Sequence, residues 1–168
     1  ADRKSSDPQN RLYALSHRPP PGFLVGISCP PVFHRFPFTF GEITHTRYQP
    51  AMKSDFKRIV GRTPADCHFS VRVHHKVMDA SSPDIPAGRD RMARQMAAVS
   101  PLWEQGRFYS FVLEVDHPVI RSQRMLRYLV EVCRLPVRQG FDVHLQLSHP
   151  GWSTPYVTET LREEGIGI

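Results

Sequence analysis

The residues best suited to chemistry fall into four short runs. They are Glu42-Ile43-Thr44-His45-Thr46-Arg47-Tyr48, Ser70 to His75 with Arg72, Glu114 to His117, and Gln146 to Trp152. Each ends or follows a stretch in which apolar and polar residues alternate, so the polar groups gather at strand ends, where α/β proteins keep their binding sites. Glu42 leads the candidates. A carboxylate in a partly buried place needs a cation or hydrogen-bond donors, and Arg72 lies one strand away. The plainer reading is a structural Glu42–Arg72 pair. Glu42 and Glu114 could also form a paired-carboxylate acid/base site; two strands apart puts their backbones roughly 10 Å apart, which suits only inverting hydrolysis. His74 and His117, with His75, His149 and Asp116 nearby in the pattern, could hold a divalent metal just past the strand ends. No HExxH-type motif accompanies them, and a chain with 9 histidines places several there by chance. Trp152 beside His149 could stack on a sugar or base, or simply seal one end of the structure. Walker-type, GxGxxG and GxSxG motifs are all missing from the sequence, which disfavours nucleotide-dependent and serine-hydrolase chemistry.

The elements that position these residues alternate between two periods. Phe23–Ser28 is a short apolar run between turn signals and reads as a buried strand. Further strands are expected over 40–47, 67–73, 108–115 and 141–147, and a sixth begins at Gly165. Helices are expected between them: one after Pro50 with Met52, Phe56, Ile59 and Val60 on one face, one over 88–103 with Met92, Met96, Val99 and Trp103, and one over 122–135. A last helix starts at the N-cap Thr154 with Pro155 at its first position and stops at Gly165. Repeated β-α order predicts a parallel sheet with helices outside. Residues 1–22, polar and ending in Pro19-Pro20-Pro21-Gly22, read as an arm, and 23–168 as one domain.

Strand parity then separates two architectures. One parity holds Glu42, Thr44, Thr46, Tyr48; Ser70, Arg72; Ser110, Glu114, Asp116; and His144, Gln146, Ser148, while the other is mostly apolar. A doubly wound sheet, covered by helices on both faces, needs apolar residues on both parities. A polar parity fits a barrel lumen or a cleft, or a sheet face open to solvent. Length favours the open sheet, because a (β/α)8 barrel normally takes about 250 residues.

Composition excludes little beyond membranes. The 168 residues are 40% hydrophobic, without an apolar run of the ~20 residues that span a bilayer. Three cysteines, Cys29, Cys67 and Cys133, lack CxxC spacing, so buried inert thiols in a reducing, cytoplasmic setting are expected. A net charge of +6 favours anionic partners, but the basic residues are dispersed among acidic ones, so nucleic-acid binding is disfavoured.

The motifs together resemble a known family. FGEITHTRYQP, TPADCHFSVRV, SFVLEV, HLQLSHPGW and the closing EEGIGI resemble, in order from Phe38 to Ile168, the YecE-like group, the domain-of-unknown-function 72 (DUF72) family. The resemblance implies a bacterial or archaeal protein of TIM-barrel-like fold, here an incomplete (β/α) barrel of about six strands. Against the family pattern VEINSTFY, Glu42, Ile43, Thr46 and Tyr48 match, while Thr44, His45 and Arg47 replace Asn, Ser and Phe. Against EFRHPSW, His149, Pro150 and Trp152 match, but Gln146 and Ser148 replace a Glu and an Arg. Glu114 stands where the family has Gln.

Three functions follow as expectations, the third of them phosphate or nucleic-acid binding, which rests only on the basic balance. The first is a diverged, non-catalytic binding or partner protein, with self-association or a partner subunit closing the barrel. The second is a hydrolase-like enzyme acting on a small anionic ligand, with Glu42, Arg72, Glu114 and His149 as catalytic residues. Thr44, Thr46, Tyr48, Asp116, Gln146, Ser148 and Trp152 would contribute binding.

Overall fold

The computed structural model describes residues 26–28, 39–79, 83–116 and 119–168. The expected arm, Cys29 and His117 lie outside the described residues. Among those described, one parallel sheet holds five strands: β1 (Gly26–Ser28), β2 (Phe40–Ile43), β3 (His68–Arg72), β4 (Phe108–Val115) and β5 (Asp142–Leu147). Neighbours in sequence are neighbours in the sheet. Helix α1 (Lys53–Arg62) joins β2 to β3, α2 (Ile85–Ala98) and α3 (Ser100–Trp103) join β3 to β4, α4 (Gln123–Arg138) joins β4 to β5, and α5 (Pro155–Glu163) follows β5.

That strand order has a direct consequence. A doubly wound sheet reverses direction at a switch point and so places helices on both faces. Right-handed crossovers in an unreversed order place every connecting helix on one face. The strands obey this division. Ile43, Phe69, Val71, Phe111, Leu113, Val115, Val143 and Leu145 are at most 2% exposed, in one core with Phe56, Met92, Leu129, Val132 and Leu161 from the helices. The other face carries Glu42, Ser70, Arg72, Ser110, Glu114, His144 and Gln146.

A bulge adjusts this alternation at the start of β4. Phe69 pairs with Phe108 but Ser70 pairs with Ser110, which leaves Tyr109 as the extra residue. Phe108 therefore joins Phe111 and Phe141 on the helix side, with ring centroids 4.6 and 5.5 Å away. Tyr109 meets Phe40 edge-on at 5.3 Å. The polar face thus runs from an aromatic end, through a buried Ser70–Ser110 hydroxyl pair at 2.8 Å, to a charged end.

Local signals explain the helices. Asp84, Ser122 and Thr154 each cap a helix, accepting from the N–H groups of Ala87, Met125 and Val157 at 3.0, 3.1 and 3.4 Å. Gly165, at φ 71°, ends α5 as expected. Gly88 lets α2 approach α4, because a Cβ there would lie 2.5 Å from the Tyr128 hydroxyl.

Several expected boundaries move. The strand expected over 40–47 ends at Ile43, where the chain tightens into a 3₁₀ turn, His45–Arg47. Met52 is the N-cap of α1 and is 62% exposed, so Phe56 and Ile59 bury that helix without it. The helix expected over 88–103 is two helices broken at Val99 ahead of Pro101, and Trp103 is 43% exposed. The sixth strand shrinks to a single bridge: Gly167 pairs in parallel with His144, exchanging bonds with Val143 and Leu145 at 2.8 Å each.

Candidate functional site

The turn after β2 builds the site. Its first bond runs from the Arg47 N–H to the Thr44 carbonyl, 3.0 Å. The fully buried Thr46 donates its hydroxyl to the Arg72 carbonyl at 2.6 Å, pinning the turn against the end of β3. Had the chain stayed extended, Arg47 would have pointed to the helix side. The turn sends it across the polar face instead.

There it completes a chain of ion pairs over three strands. Arg72, from β3, bonds Glu42 of β2 through Nε and Glu114 of β4 through Nη1. Arg47 bonds the same Glu114 oxygen through Nη1 and Asp116 through Nη2. The side chains of Arg47 and Glu114 are 14% and 15% exposed, those of Arg72 and Glu42 21% and 24%, and that of Asp116 55%. The cluster is thus sheltered at its centre and open at Asp116. Burial alone would lower the Arg47 pKa, but bonds to Glu114 and Asp116 outweigh it and hold the guanidinium above its ordinary value.

Beside the cluster, the turn after β3 (His75–Met78) forms the other wall of a cleft of about 340 Å³. His75, Lys76, Met78, Asp79, Glu114, Asp116 and Val119 line it. His75 Nδ1 lies 2.8 Å from the Arg47 carbonyl, an acceptor, so this nitrogen carries the hydrogen. His74 Nδ1 accepts the Lys76 N–H at 3.3 Å. Burial, then the neighbouring His75 and Lys76, push the His74 pKa below its usual value. The His74 and His75 rings lie 4.5 Å apart. Tyr48, 68% exposed, has its ring 6.3 Å from His75 and under the Arg47 guanidinium at 5.1 Å.

Of the residues singled out from sequence, Glu42, Arg72, Glu114 and Asp116 come together, and Thr46, Tyr48 and His74 support or border them. Thr44 contributes its carbonyl to the turn. Gln146 pairs in register with Glu114 but is exposed. Ser148 is exposed beyond β5. His149 caps the short turn Pro150–Trp152, its Nδ1 accepting the Gly151 N–H at 3.0 Å. Trp152 is 1% exposed and donates its indole N–H to the Val119 carbonyl at 2.9 Å, which is the role of an end seal. Among the described residues, no three His, Cys, Asp or Glu side chains form a group that could hold a metal.

Arg47 was not expected. The signal that would have found it is charge balance: the polar parity carries Glu42, Glu114 and Asp116 against Arg72 alone.

An α/β fold with a parallel sheet and a charged cleft at the strand C-termini defines the class of protein. Solved structures share this fold. The chain is similar in fold to a DUF72 family protein from Thermotoga maritima, with a TM-score of 0.63 and 21% identity over 77% of this chain and 48% of that one. It is equally similar to a DUF72 family protein from Enterococcus faecalis, at TM-score 0.63 and 12% identity, over 77% of this chain and 48% or 53% of that one in two structures. The chain spans about half the length of these structures. No protein-family model matches the sequence, and no curated protein matches it. Among the described residues no helix is long and apolar enough to cross a membrane.

Proposed function

We propose that this chain is a diverged DUF72-like protein, a segment of a (β/α) barrel, that binds a small polar ligand in the cleft beside Glu114 and Asp116 without turning it over. The order of the motifs from Phe38 to Ile168 and the fold likeness support the family reading. The barrel reading is supported by the unreversed strand order and by a polar face graded from aromatic to charged.

The position of Arg72 carries the choice of binding over catalysis. Paired-carboxylate hydrolysis needs open space between the two acids for substrate and water. Here the Arg72 guanidinium stands between Glu42 and Glu114 and bonds both. Fixed charges held in this way shape a ligand seat rather than move protons.

A thermal-shift panel of small polar compounds on the wild type and on Arg47→Met tests this. At least one compound class should raise the Tm of the wild type and leave that of the variant unchanged. If no compound acts, or if every shift persists in the variant, the reading is wrong.

A further inference from the structure

We infer that the paired bonds between Arg134 and Glu164 form an acid-sensitive clasp that holds the segment after α5 on the outer edge of β5. This device belongs to the sheet edge and does not depend on the ligand-site reading. Arg134 of α4 donates through Nε to one Glu164 oxygen at 2.6 Å and through Nη2 to the other, so two parallel bonds fix one carboxylate. The same guanidinium donates through Nη1 to Glu131 at 2.6 Å, and Glu131 accepts from Arg89 of α2 at 2.7 Å. All three nitrogens of Arg134 are engaged, and a third helix braces the fork. The side chains of Arg134 and Glu164 are 31% and 26% exposed.

What the clasp holds follows from its position. Glu164 is the C-cap of α5. Gly165 then turns the chain at φ 71°, Ile166 enters the core, and Gly167 donates to the Val143 carbonyl and accepts from the Leu145 N–H, each at 2.8 Å. Ile166 anchors this segment by apolar burial, and its N–H bonds the Leu161 carbonyl at 2.9 Å. The clasp adds a polar anchor where the segment leaves the helix, at most about 11 Å along the chain from Gly167. If the segment lifts, the Val143 carbonyl and the Leu145 N–H lose these partners on a sheet edge, the kind of edge that pairs with another chain.

The acid sensitivity has a defined sign. The bonds from Arg134 lead in holding the Glu164 carboxyl below its ordinary value; burial opposes them, and the charges of Arg134 and Arg138 add to them. The other charged groups around it are Glu131 of α4, Arg89 of α2 and, next to it in the chain, Arg162 and Glu163. The folded value lies below the unfolded one, so the clasp contributes fully above the ordinary glutamate range and is lost as pH falls through the folded value.

Amide hydrogen exchange, followed by NMR on the intact chain, tests this. At neutral pH, Glu164→Gln should lower the protection of Leu145 and Gly167 about fivefold and leave that of Leu113 in β4 unchanged. As pH is lowered to about 3.5, the wild type should fall toward the variant at those two amides, measured relative to Leu113, while the variant keeps its level. Equal protection of wild type and variant at neutral pH would overturn the inference. So would a loss that reaches Leu113 equally, or an acid decline that the variant shares.

Discussion

The two ends of the sheet each centre on arginine, buried at one end and partly exposed at the other, and they use it in opposite ways. At the end where strands begin, Arg107 is 3% exposed and bonds only neutral acceptors: the Cys67 carbonyl at 2.9 Å, the Val60 carbonyl at 3.1 Å and the Thr63 hydroxyl. It ties the end of α1 to the starts of β3 and β4, lies over the Phe69 ring, and burial lowers its pKa. At the end where strands finish, Arg47 and Arg72 bond three carboxylates and border a cleft. An arginine satisfied by backbone is a staple. Arginines satisfied by carboxylates that still have oxygens to offer make a surface that can receive something.

The largest expected effect separates these roles. Arg107→Met leaves two carbonyls and a hydroxyl without their donor and should cost about 3 kcal/mol in urea unfolding, with little dependence on salt. Arg72→Met should cost about 1–2 kcal/mol, because water reaches its partners, and added salt should shrink the loss. Adding Glu42→Gln to Arg72→Met should recover part of it, since the stranded charge is then removed. Equal costs and equal salt responses at Arg107 and Arg72 would erase the distinction between the two ends.

Midway between them, Ser70→Ala should cost about 1 kcal/mol by stranding the Ser110 hydroxyl, and the double change to alanine should cost less than twice that. The smallest effect belongs to His74. Its folded pKa lies below the ordinary value, so the unfolded chain takes up its proton first as pH falls. The stability it contributes is complete above about pH 6.5 and declines as pH drops from there toward the folded pKa. Histidine NMR should show His74 titrating at lower pH than a free histidine, and His74→Gln should flatten that part of the stability profile.

How far all this was legible in the sequence depends on whether the backbone stayed regular. β4 spans Phe108–Val115 as expected, with regular alternation from Phe111 onward, and Thr154, Pro155 and Gly165 mark α5 because capping chemistry is local. Glu42, Arg72 and Glu114 were visible because they lie within extended strands, where parity assigns a face. Arg47 was invisible for the converse reason. Thr44, His45 and Thr46 tolerate an extended backbone, and no Gly or Pro announces the turn that begins after Ile43. What favours the turn is tertiary: the bond from Thr46 to the Arg72 carbonyl, between residues far apart in the chain. Trp152 shows the same limit, since its position beside His149 does not reveal that its N–H is spent on Val119.

The measurement that bears most directly on the account is backbone amide shift mapping by NMR while each of several small polar probes is titrated. The account predicts that any probe that binds moves the amides of Arg47, His75, Glu114 and Asp116 and leaves those around Arg107 in place. Perturbations centred on Arg107, or scattered without regard to the cleft, would contradict it.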